Sequence, residues 1–211
     1  MKFLYSPPFP LKKLMHNYTW ETKNNKLLLT FDDGPTKEST EKILLLLNDL
    51  NLKAVFFCVG NNVALNREVT NLIIDQGHLI GNHTYNHRKV MFLKPDGIMN
   101  EIRETNNLLA EKHNYIVKYF RPPHGLPAFD LSGKLSLFNQ RCVMWSLLTM
   151  DYKNDLEVVK FAVVNYLKQN SIVVLHDSKK STGIILDSIK LIVDFAAGKG
   201  YEFGEPDECL N

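Results

Sequence analysis

Between Lys26 and Ala197 the chain alternates short, continuously apolar runs with amphipathic stretches, and no other feature constrains its fold as much. Lys26–Phe31 (KLLLTF) and Lys53–Val59 (KAVFFCV) lack the polar alternation of a half-exposed strand. Such runs predict strands buried on both faces of a sheet. Further strands are predicted at His78–Ile80, Ile116–Phe120, Arg141–Trp145 and Ser171–Leu175. Between them apolar residues recur at helical spacing. Ile43, Leu44, Leu46, Leu47 and Leu50 do so in Thr36–Leu50, and Ile98, Ile102, Leu108 and Leu109 in Pro95–His113. Thr36 stands where the first of these helices needs a cap. Helices are also predicted over Val63–Gln76 (stopped by Gly77), Pro127–Leu137, Asp155–Lys168 and Gly183–Ala197. Strands that alternate with helices predict a parallel sheet covered by helices. About six or seven such units suit a barrel and an open sheet alike.

The chain has 211 residues, 45% of them hydrophobic, which is enough apolar material for one core. No repeat, linker or low-complexity segment divides it, so residues 1–211 read as a single domain. Residues 1–25 read as an N-terminal extension that packs on this domain through Phe3, Phe9 and Trp20. The net charge of +2 comes without a basic stripe, which argues against a nucleic-acid partner. The N-terminal MKFLYSPPFP is broken by Ser6, Pro7 and Pro8. A signal peptide needs an unbroken apolar region of about 7–15 residues, and a membrane span needs about 20. On sequence alone the chain therefore reads as soluble and cytoplasmic. Cys58, Cys142 and Cys209 are too widely spaced for a zinc ribbon, and the first two sit in apolar runs as buried thiols.

In barrels and open sheets alike, chemistry gathers beyond the carboxyl ends of the strands. Four polar clusters fall there. Thr30-Phe31-Asp32-Asp33-Gly34-Pro35 sets two carboxylates side by side, where they repel and resist desolvation, although Asp-Gly-Pro is also good turn chemistry. His83 and His87 lie four apart, a spacing that puts both on one face of a helical turn and lets them share a metal. Arg121-Pro122-Pro123-His124-Gly125 ends a buried strand in an arginine, which needs a carboxylate partner. His176-Asp177 ends the most apolar run of the chain. Each cluster alone has a bland explanation: a turn, an exposed histidine pair, a Pro-Pro loop, a strand cap. Together they are the parts of a metal-assisted hydrolase.

The ordered motifs TFDDG, HxxxH, RPPxG and LHD resemble those of the polysaccharide deacetylases, carbohydrate esterase family 4, which share the NodB-homology domain. The likeness runs from about Lys26 to about Ala197. It implies an α/β fold, a distorted (β/α) barrel of about seven parallel strands surrounded by helices. It also implies that Asp33, His83 and His87 hold a divalent metal, usually zinc, with cobalt or nickel as alternatives. Asp32 would be the catalytic base, oriented by Arg121, and His176 the general acid, paired with Asp151. The backbone N–H of His124 would help bind the oxyanion, Tyr152 and Val174 would line the pocket for the acetyl methyl, and Trp145 would add a substrate contact. The implied reaction is removal of the N-acetyl group from N-acetylglucosamine units of a glycan such as peptidoglycan or a chitin-like oligomer. A monomer without nucleic-acid partner or membrane span is expected.

Four positions depart from the family pattern. His124 stands for tyrosine, Asp151-Tyr152 for aspartate–tryptophan, Leu148 for an upstream aspartate, and Val174 for leucine. The same machinery would cleave an ester, so an O-deacetylase acting on a glycan such as xylan is an alternative. A non-catalytic glycan-binding protein is another. Phe92 and Phe129, in the loops Arg88–Asp96 and Leu126–Ser132, are candidates for stacking on a sugar face.

Overall fold

A computed structural model describes residues 5–211. Its strands are β1 (Leu28–Asp32), β2 (Ala54–Cys58), β3 (Leu79–Asn82), β4 (Tyr119–Phe120), β5 (Arg141–Cys142), β6 (Leu147–Leu148) and β7 (Ile172–His176). All pair in parallel, in the order β5-β4-β3-β2-β1-β7-β6. β5 and β6 are at opposite edges of this sheet, yet only residues 143–146 separate them in the chain. Val143 N–H donates to the Phe120 carbonyl (2.9 Å) and Ser146 N–H to that of Ile172 (3.1 Å). The chain thus steps from β4 to β7 within four residues, and the sheet must curl until its edges meet. This is the distorted barrel expected from the sequence, with its seam closed by covalent chain rather than by a strand ladder.

The helices are α1 (Phe9–Leu14), α2 (Lys37–Asp49), α3 (Gly60–Leu65), α4 (Arg67–Asp75), α5 (Pro95–His113), α6 (Leu131–Ser136), α7 (Leu156–Tyr166), α8 (Ile185–Gly198) and α9 (Pro206–Leu210). Every residue of β1 is buried, and its side chains alternate between two environments. Leu29 and Phe31 join Leu47, Val163 and Ile189 in the layer between sheet and helices. Leu28 points the other way and clusters with Phe57, Val143 and Ile172. Thr30 and Asp32 share the face of Leu28, so period-2 geometry carries a carboxylate to the top of the barrel interior.

The N-terminal extension covers the seam. Leu148 N–H donates to the Tyr5 carbonyl (2.8 Å) and Thr19 N–H to that of Cys142 (2.9 Å), so both sheet edges gain a partner. Trp20 is buried and donates from Nε1 to the Met15 carbonyl. Phe9 does not pack as expected; it lies on the short α1 with no covering element and is 75% exposed. Phe3 lies outside the described residues. The helix expected over Val63–Gln76 is two helices, because Asn66 leaves the helical path and its amide donates to the carbonyls of Pro35 and Asn62. The strands expected at Ile116–Phe120 and Arg141–Trp145 shrink to two paired residues each, and Ile116 is exposed. All three cysteines are buried and free. Among the described residues no helix is long and apolar enough to cross a membrane.

Candidate active site

At the carboxyl end of the sheet, β1 and β7 run in register so that Asp32 pairs with His176. Both project into one cavity of about 330 Å³, together with Asp33, His83 and His87. Arg121 lies beneath, fully buried, with its donors directed to fixed acceptors. Nη1 donates to Asp32 Oδ1 (2.7 Å) and Thr30 Oγ1 (2.7 Å), Nη2 to the Met144 carbonyl, and Nε to the Val143 carbonyl. Its guanidinium also lies 4.0 Å from the Phe57 ring centroid. A charge this deep is stable only because it is paired and hydrogen-bonded on all sides. The arrangement holds Asp32 Oδ1, and no hydrogen bond to Oδ2 occurs among the described residues.

Asp33, His83 and His87 offer donor atoms that all lie within 4.8 Å of one another, the one such group among the described residues. His87 Nε2 is 3.1 Å and His83 Nε2 3.7 Å from Asp33 Oδ1. His83 Nδ1 donates to the Arg121 carbonyl (2.7 Å), which leaves Nε2 as the free lone pair. Burial pushes the His83 imidazole down to about 4, against the pull of Asp32 and Asp33, so the ring is neutral and competent as a ligand at neutral pH. Burial raises the Asp33 carboxyl, but the His87 hydrogen bond and the nearby imidazoles outweigh it and hold the group well below the carboxylate range. One carboxylate and two imidazoles suit a divalent transition metal.

The histidine pair does not sit on a helical turn, contrary to the expectation from spacing. Thr84 N–H donates to Asn82 Oδ1 (2.7 Å), a turn that diverts the chain, and Thr84 (φ 66°) and His87 (φ 55°) take left-handed backbone. Asp33 (φ 77°), His124 (φ 59°) and Met150 (φ 61°) do the same. Elsewhere among the described residues the non-glycine positions of this kind are all Asn or Asp, which tolerate it. Left-handed Thr and Met cost about 1–2 kcal/mol each, and such strain persists where surrounding structure over-determines it, typically beside a site.

His176 Nδ1 donates to Asp151 Oδ1 (2.7 Å), and its backbone N–H to Asp151 Oδ2 (2.7 Å). Burial lowers the His176 imidazole, but the charge and hydrogen bond of Asp151 overcome this and push it up to about 9. The ring is therefore cationic at neutral pH. Tyr152 meets it edge-on, 5.0 Å between centroids. Trp145, Leu148, Tyr152 and Val174 give the cavity an apolar wall. The His124 ring packs on His87 at 4.9 Å, and its imidazole is lowered by burial and then by the charges of His87 and Lys89.

The structure thus brings Asp32, Asp33, His83, His87, His124, Trp145, Tyr152, Val174 and His176 to one cavity, with Arg121 and Asp151 behind it. Sequence reasoning missed Thr30 as the second acceptor of Arg121, although it shares the Asp32 face by strand periodicity. It also missed Lys180 on the rim, which no motif marks. Gly125 (φ 65°), the glycine of the RPPHG motif, has no room for a side chain: a Cβ there would collide with the Trp145 ring.

Fold and site together define a class: an α/β barrel whose strand ends carry a candidate metal centre beside a carboxylate and an imidazole, the group set of a metal-assisted hydrolase. The chain belongs to the polysaccharide deacetylase family, whose model matches residues 20–134. It is 29% identical to a peptidoglycan-N-acetylglucosamine deacetylase of Listeria monocytogenes over 186 residues, which is 88% of this chain and 39% of that protein. The chain therefore spans less than half the length of that relative. Its structure resembles that of a peptidoglycan N-acetylglucosamine deacetylase in complex with 4-naphthalen-1-yl-N-oxidanyl-benzamide, with a TM-score of 0.85, 28% identity and 96% of each chain covered. It also resembles a wild-type CE4 family pseudoenzyme from Bacillus anthracis, with a TM-score of 0.82 and 25% identity over 91% of this chain and 68% of that one.

Proposed function

We propose that the chain is a zinc-dependent deacetylase that hydrolyses the N-acetyl groups of N-acetylglucosamine units in a glycan. The observation that carries this reading is the Asp33–His83–His87 donor set beside Asp32 on one side of a cavity and the Asp151–His176 pair on the other. The ion these three residues would hold supplies Lewis acidity toward the acetyl carbonyl and toward water. Asp32, held by Arg121, takes the proton of the attacking water through its second oxygen. The His124 N–H donates to the oxygen that becomes negative in the tetrahedral species. His176 gives its proton to the departing amine, which otherwise leaves poorly. Asp151 keeps that imidazole protonated and oriented, so acid and base differ in protonation state at one pH. Trp145, Leu148, Tyr152 and Val174 accept the acetyl methyl and exclude water around it. Residues 1–211 act as one catalytic domain and as a monomer.

The likeness to a pseudoenzyme makes fold alone a poor argument for turnover, so the reading rests on residues. In a non-catalytic glycan binder, Asp32→Ala would leave binding intact and no acetate would be released. The test is acetate release from an N-acetylated chitooligosaccharide and from acetyl-xylan in parallel, with zinc content measured on each sample. Asp32→Asn and His176→Ala are expected to lower turnover of the amide substrate by about 10²–10⁴-fold while zinc stays bound. Unchanged turnover in either variant contradicts the assignment. Faster turnover of the xylan ester by the wild type would replace the amide reading with an O-deacetylase.

A further inference from the structure

Asp177 is a buried carboxylate that the reaction above does not use. It follows His176, and its backbone N–H donates to the Asp32 carbonyl (2.8 Å). Three hydroxyls converge on its side chain: Thr36 (3.2 Å) and Ser39 donate to Oδ1, and Thr40 to Oδ2. These residues form the cap and first turn of α2, directly after the Asp33–Pro35 loop. Thr36 stands at the cap position read from the sequence, but its hydroxyl serves Asp177 and makes no capping bond to the helix. Gly34 presses against the same carboxylate, so closely that a Cβ at that position would collide with Oδ2.

The other side of the loop is held as firmly. The Asn62 amide donates to the Asp33 carbonyl (2.7 Å), Val59 N–H to that of Gly34 (2.9 Å), and the Asn66 amide to that of Pro35 (3.2 Å). Asp33, at the head of this loop, has left-handed backbone at φ 77°. Aspartate tolerates this backbone, so the direction of its carboxylate is set by what holds the loop on either side. The segment 59–66 supplies one side and Asp177 the other.

We propose that Asp177 is a positioning residue for the metal ligand Asp33: it fixes the Gly34–Thr40 segment so that the Asp33 carboxylate faces His83 and His87. The inference rests on the metal reading above. It assigns the carboxylate after the acid histidine to metal affinity rather than to proton transfer. Asparagine at this position keeps the shape but offers a single acceptor oxygen, so the three hydroxyls can no longer all be received.

The test is calorimetric titration of zinc into chelator-treated protein for the wild type, Asp177→Asn and the double variant Ser39→Ala/Thr40→Val, with thermal melts of the metal-free proteins alongside. The double variant leaves the carboxylate in place and guards against loss of fold in Asp177→Asn. The expected result is a zinc dissociation constant at least tenfold weaker in each folded variant. A lowered melting temperature with wild-type zinc affinity overturns the inference and leaves the metal centre standing. A wild type that takes up no zinc overturns the metal reading and this inference with it.

Discussion

At the scale of single residues, the proposed chemistry depends on a base and an acid, each held by its own buried partner. Asp32 is paired with a buried guanidinium, and His176 is paired with a buried carboxylate. The second pairing has a definite pH consequence. His176 acts as an acid only while protonated, and its pKa of about 9 lies above the ordinary imidazole value, so kcat/KM is expected to fall as pH rises through about 9. Asp151→Asn removes the charge that opposes burial. The alkaline limb is then expected to move to lower pH, toward or below the ordinary imidazole value of about 6.5. A pH–rate profile of both proteins checks this, and an unmoved limb contradicts the role given to Asp151.

At the scale of elements, the buried strands carry the site and the loops aim it. Leu29, on the helix-facing side of β1, is fully buried in the main cluster, while Thr30 and Asp32 on the other face reach Arg121. Leu29→Ala is expected to cost about 2–5 kcal/mol in chemical denaturation, the range for a large apolar side chain lost from a packed core. A loss below about 1 kcal/mol would show that β1 is not the central packed strand described. Strands such as β1, β2 and β7 were legible because a continuous apolar run has few other readings. The bounds of α5 follow directly from Pro95 and the helical spacing of Ile98, Ile102 and Leu109. The edges were not legible. β6 is two residues long, β4 and β5 pair over two each, and the curl of the sheet decides where pairing stops. The HxxxH spacing pointed to the right convergence for the wrong local reason, since the turn at Asn82 and Thr84 depends on a side-chain hydrogen bond that no periodicity encodes.

At the scale of the molecule, the curl of a linear seven-stranded order brings residues from far-apart stretches of chain to one cavity. Asp33, His83, His124 and His176 come from segments far apart in sequence, and the β1–β7 pairing together with the curl of the sheet makes them neighbours. The motifs made this convergence readable in advance. The cover of the seam by residues 5–21 was readable only as packing of an extension, because its partners lie at Cys142 and Leu148. An ion that binds the folded chain and not the unfolded one adds about 2.7 kcal/mol of stability at a hundredfold excess over its dissociation constant. Zinc is thus expected to raise the melting temperature of the chelated protein, and an unchanged melt contradicts specific binding to the folded state. The most direct measurement is acetate release from an N-acetylated chitooligosaccharide as chelated protein is titrated with zinc, for the wild type and for His83→Ala/His87→Ala. The account predicts that the metal-free wild type is inactive, that one equivalent of zinc restores acetate release, and that the double variant stays inactive throughout. Full acetate release by the metal-free wild type, or by the double variant, would contradict it.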